Sequence, residues 1–133
     1  MNVGIFRPTS PPEHTKALDA FAAGLEVSGV DHFITDMAYH PCDVAVVFGV
    51  GKKRIPISWP RGTIIKKHRA EGKPVIILET GYIKRERYFA AGWNGLNGRA
   101  NFRNQGMPPD RWKALNIEPR PWRADGEIGR AHV

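Results

Sequence analysis

Cysteine is almost absent. Cys42 is the one thiol among 133 residues, so no internal disulfide can form and the chain reads as a reduced, cytoplasmic protein. Long apolar runs are missing as well: nothing approaches the roughly 20 residues that cross a bilayer, and Asn2-Val-Gly-Ile-Phe6 reads as a strand, not as the start of a secretory leader. No His or Cys spacing suits a metal, and neither a P-loop nor a G-x-G-x-x-G fingerprint occurs. Acidic residues are in short supply, 13 against 20 basic ones, and the net charge of +7 favours a polyanionic or phosphorylated partner.

The basic excess is uneven. Residues 1–50 hold two basic and six acidic side chains, whereas residues 51–133 hold eighteen and seven. A surface polarised toward an anion follows if these side chains gather on one side.

The order of elements reads β-α-β-β-α-β. Asn2 to Phe6 is a short buried strand, and Ser10-Pro-Pro-Glu13 has the form of a capping box that opens a helix. Leu18, Phe21, Ala22 and Leu25 make its apolar stripe, and Gly29 ends it. His32-Phe-Ile-Thr35 and Asp43-Val-Ala-Val-Val-Phe48 are strands. A second helix runs from Ser58 and Pro60 through Ile64, Ile65 and His68 to Gly72, and Pro74-Val-Ile-Ile-Leu78 is the next strand. Continuous rather than alternating apolar strands are buried on both faces. They predict a Rossmann-like α/β domain, a mainly parallel sheet with helices on both sides, followed by an irregular part rich in Gly and Asn. Tyr88 to Trp93 can add a strand, and Pro108-Pro-Asp110 can open a short helix.

In such a sheet ligands gather beyond the carboxyl ends of the strands. Three segments fall there: Arg7-Pro-Thr-Ser10, with Thr9 and Ser10 as ligand contacts; Gly49-Val-Gly-Lys-Lys-Arg54; and Glu79-Thr-Gly81. Gly49 and Gly51 permit a sharp turn, and Lys52, Lys53 and Arg54 can cradle a phosphate. Asn94-Gly-Leu-Asn-Gly-Arg-Ala-Asn101 spends flexible and polar residues without building a core, so Asn94, Asn97 and Arg99 are further ligand candidates, Arg99 through a bidentate phosphate contact. Asp36 and Glu79 are the acid-base candidates nearest that edge. His68 lies on an apolar stripe and is expected to pack against the sheet. His14 is expected on the surface of a first helical turn. Cys42 has no second cysteine near it and is not expected to be a nucleophile.

The last seven residues, Glu127-Ile-Gly-Arg-Ala-His-Val133, resemble a translated sequencing adapter. The native domain is therefore expected to cover 1–126, with 127–133 as an artefactual tail and His132 outside any site.

Gly92-Trp-Asn-Gly-Leu-Asn-Gly-Arg-Ala100, Asp110-Arg-Trp112 and Pro121-Trp-Arg123 resemble a group of tailed-phage and prophage proteins. Longer members of that group are similar to two-domain glycosyltransferases of the GT-B type. The resemblance implies the acceptor-side, N-terminal half of a truncated enzyme, with a nucleotide sugar as co-substrate, no permanently bound cofactor, and no activity without the donor half. Lys52, Lys53, Arg54 and Arg99 would then hold a phosphate-bearing acceptor or donor, with Asp36 or Glu79 as base. The basic excess and the aromatic residues interleaved with it at Lys84-Arg-Glu-Arg-Tyr88 and Arg111-Trp112 suit an alternative, a non-enzymatic nucleic-acid-binding phage protein.

Overall fold

Val3–Phe6 (β1) is buried along its whole length and pairs in parallel on both sides, with His32–Thr35 (β2) and with Val44–Phe48 (β3). The computed structural model describes residues 1–50 and 60–121, in two units that divide between Arg103 and Asn104. Pro12–Val27 (α1) connects β1 to β2, and Pro60–Ala70 (α2) precedes Val75–Thr80 (β4), which lies parallel to β3. Phe89–Trp93 (β5) then folds back antiparallel on β4. The sheet order is β2-β1-β3-β4-β5, the Rossmann-like α/β arrangement that the apolar runs predict, with one antiparallel edge strand added. Because the chain leaves β1 to one side for β2 and returns to the other for β3, the topological switch point lies between β1 and β3.

Each strand divides its side chains between two cores, as a pleat with period two requires. Val3, Ile5, Val44, Val46, Phe48 and Leu78 face α1, where Ala17, Leu18 and Ala22 meet them. Phe6, Ala45, Val47, Val75 and Ile77 face the opposite side, against Ile64 and Ile65 of α2. Burying each large apolar side chain contributes about 1.5–3 kcal/mol. On the α2 side the crossover from β2 to β3, residues 36–43, contains no helix. It runs as a strap over β1, with Met37 and Tyr39 packed on the core and Tyr39 stacked on Phe6.

Both long helices end as expected, with Gly29 and Gly72 at positive φ. The start of α1 differs from the capping box. Pro11, not Ser10, occupies the N-cap position, and no side chain caps the helix. The prolines at N-cap and N1 carry no N–H, so neither position leaves an orphan donor at the start of the helix. Within the second unit, Asp110–Ala114 (α3) forms the short helix announced by Pro108-Pro109.

Candidate functional site

Gly49, Glu79 and the first turns of α1 and α2 gather at the carboxyl edge of the parallel strands. The Gly49 N–H donates to the Leu78 carbonyl at 2.8 Å, which sets the turn after β3 beside the end of β4. Gly49 has φ +72, and a side chain there would also come within 3.0 Å of Arg61 Nη1. Arg61, from the first turn of α2, donates to the Phe48 carbonyl at 2.6 Å. His14 stacks on the Phe48 ring with centroids 4.0 Å apart, so it lies in the first helical turn as expected but is half-buried against this edge. Its pKa is pushed down, first by burial and then by the Arg61 charge, with Glu13 opposing.

Beside this cluster, on the α1 face, lies an open cleft of about 430 Å³. Phe48 and Thr80 form its floor, and Glu13, Lys16, Ala17 and Ala20 of α1 form one wall. The other wall is the loop after β4, which presents Arg85, Glu86 and Arg87, together with Phe89 at the start of β5. That loop is closed on itself. Gly81 N–H donates to the Tyr88 carbonyl at 3.1 Å, Arg87 N–H to the Lys84 carbonyl at 2.8 Å, and Arg85 Nε to the Gly81 carbonyl at 3.1 Å. A side chain at Gly81 would meet the Tyr88 carbonyl, so a glycine is required where the loop pinches shut. The result is an apolar floor under three cations and two carboxylates.

The residues expected from sequence are dispersed. Thr9 and Ser10 are exposed in the segment between β1 and α1, at the same edge. Arg7, just before them, is already engaged by Asp19 through two hydrogen bonds of 2.6 and 2.9 Å. Gly51, Lys52, Lys53 and Arg54 lie outside the described residues. Glu79 reaches the right edge but the wrong face: Leu78 and Thr80 turn toward α1, so Glu79 between them turns toward α2, away from the cleft. Asp36 directly follows β2, three strand spacings or about 14 Å from β4, and its carboxylate accepts the Ala38 N–H.

Asn94 belongs to the opposite edge, because β5 runs antiparallel and ends beside Val75. There it acts as a structural clasp. Its side-chain oxygen accepts the Val75 N–H at 2.9 Å, and its own N–H donates to the Val75 carbonyl at 2.7 Å. Asn97 accepts the Tyr82 hydroxyl, and Arg99 is exposed. Lys16, Arg85 and Arg87 are not among the phosphate contacts expected from sequence, and the run Lys84-Arg-Glu-Arg-Tyr88 stands out there only for the nucleic-acid alternative. Its place directly after a strand is the signal that could have put Arg85 and Arg87 at the ligand-binding edge.

Away from the cleft, His68 is 0% exposed. Its Nδ1 lies 3.2 Å from the Pro74 carbonyl and its Nε2 lies 3.5 Å from Cys42 Sγ. An N–H donated to the carbonyl leaves Nε2 to accept the thiol proton. Burial pushes the thiol pKa up, so Cys42 is kept protonated and is a poor nucleophile. Among the described residues no group of three or more His, Cys, Asp or Glu side chains could hold a metal ion, and no helix is long and apolar enough to cross a membrane.

No protein-family model matches the chain, and no curated protein matches its sequence.

Proposed function

We propose that the chain is the acceptor-side half of a phage sugar-transferase-like enzyme of the GT-B kind, and that the carboxyl-edge cleft receives a phosphate-bearing acceptor. One observation carries this reading: Lys16, Arg85 and Arg87 line the walls of a cleft floored by Phe48 and Thr80, at the carboxyl edge where open α/β sheets bind ligands. The guanidinium groups can grip phosphate oxygens in pairs, while the floor accepts the less polar face of a ring. Within the cleft the carboxylates able to take a hydroxyl proton are Glu13 and Glu86. A nucleotide sugar would be the co-substrate, supplied from the donor half that the resemblance implies.

Calorimetric titration of the chain with glucose 1-phosphate and with uridine diphosphoglucose tests the reading. The expected result is saturable binding that weakens about tenfold or more in Arg85→Ala/Arg87→Ala, since a hydrogen bond to a charged group contributes about 1.5–3 kcal/mol. Heat of dilution alone, with every phosphorylated sugar tried, removes the proposal.

A further inference from the structure

The α1 side of the sheet is only half covered. α1 lies against β2 and β3, and among the described residues of 1–103 no helix lies over β5 on that face. The pairing of Phe89 with Thr80, Ala91 with Leu78 and Trp93 with Ile76 puts Phe89, Ala91 and Trp93 in one row on the α1 side. Phe89 is 37% exposed, Ala91 is exposed and Trp93 is half-buried. At the far end the chain returns beside Trp93 through the Trp93 and Asn101 bridge, and the Arg103 guanidinium lies 4.1 Å from the Trp93 ring centroid. At the near end stand Arg85 and Arg87 of the cleft. Between residues 81 and 103 there are five basic side chains and one acidic one.

We infer that this row, from Arg87 through Phe89 and Ala91 to Trp93 and Arg103, is a platform for single-stranded nucleic acid. An exposed ring on the open face of an edge strand, with cations at both ends of the row, is what unpaired bases and their phosphates need. Bases stack on rings and on guanidinium planes without regard to sequence, while Lys and Arg follow the backbone. Phe89 and Trp93 are four residues apart on one strand, about 13 Å, and Trp93 packs on the core with Arg103 layered over its ring, so the Phe89 ring and the Arg103 guanidinium plane engage different bases. A duplex keeps its base faces inside the stack and can offer this row only its phosphates. The inference deepens the proposed function and rests on it in one respect: a phosphate of the strand enters the cleft at Lys16, Arg85 and Arg87, which makes the phosphate-bearing acceptor a nucleic-acid strand.

Fluorescence anisotropy of the full chain with labelled single-stranded DNA and RNA of about twelve nucleotides tests the platform, at about 50 mM and about 200 mM salt. Single strands are expected to bind more tightly than the matching duplex, and Phe89→Ala and Arg103→Ala are each expected to weaken them about fivefold or more, the equivalent of one lost stacking contact. Circular dichroism of both variants verifies that they fold. Tighter binding of duplex, no binding of any single strand at low salt, or salt-sensitive binding that both folded variants retain in full would overturn the platform. Parallel titration with glucose 1-phosphate separates the two ideas. Sugar-phosphate binding without oligonucleotide binding removes the platform and keeps the cleft; oligonucleotide binding sensitive to Phe89→Ala, without sugar-phosphate binding, keeps the platform and removes the sugar-transferase reading.

Discussion

The two sides of the sheet are built to different degrees of closure. On the α2 side, the strap 36–43 covers β1, α2 covers β3 and β4, and Leu96 packs on the same core. On the α1 side, among the described residues of 1–103, α1 alone covers the sheet, from β2 to β3, and β5 keeps its row of Phe89, Ala91 and Trp93 partly in solvent. The difference teaches where stability and binding reside. Side chains on the closed side are held by neighbours in every direction, so their removal leaves a hole. Those on the open side have solvent for a neighbour, and their removal costs the fold little while it strips a surface of its chemistry.

The largest effect expected from this contrast is that of Ile64→Ala. Ile64 is fully buried between α2 and the sheet, and truncation there costs about 2–5 kcal/mol, read as a drop in the urea midpoint. Gly4→Ala comes next. A Cβ at Gly4 would lie 2.8 Å from Cys42 Sγ and 2.9 Å from Phe33 Cζ, and overpacking of this kind costs about 1–3 kcal/mol; an unchanged midpoint would show that the strap yields more easily than its packing implies.

Acid should lower the stability of the whole fold, through His68 on the closed side and His14 on the open side. Burial, helped by the Lys73 charge, pushes the His68 pKa below its ordinary value, although donation to the Pro74 carbonyl opposes it. The unfolded chain takes up that proton near pH 6.5, the folded chain only at lower pH, so the unfolded state binds more protons in between. Stability is therefore complete above about pH 6.5 and declines as pH falls toward the folded value. His14, lowered for the same first reason, adds to the decline. Urea midpoints at about pH 7.5 and about pH 5.5 are the check, and equal midpoints contradict the assignment. On the open side, Phe89→Ala is expected to stay within about 1 kcal/mol of the parent. The smallest effect belongs to Asp19→Asn, since the pair it breaks with Arg7 is solvent-exposed on both partners and such pairs add little; the urea midpoint should barely move.

The closed side is also the side that the sequence describes best. Val44–Phe48 and Val75–Leu78 are continuous apolar runs that only a doubly covered strand explains, and Ile64, Ile65 and His68 repeat at helical spacing, so both packed faces could be read before any geometry. The strap could not. Residues 36–43 have no periodicity, and the contact of Tyr39 with Phe6 joins residues far apart in sequence. The direction of β5 was equally hidden, because Phe89–Trp93 carries no mark of parallel or antiparallel pairing. That one reversal moves Asn94 to the opposite edge, where its amide completes a ladder and does not face a ligand. Glu79 was legible to its edge but not to its face: a shift of one position along a strand changes which side a carboxylate meets.

Cys42 belongs to the strap and turns its sulfur inward, against Gly4 and His68, and it is the sole thiol of the sequence. The molecule thus carries its own clock. Alkylation of that sulfur can proceed only as often as the covering segment lifts, so the rate at which a maleimide is consumed times the breathing of one loop without any introduced label.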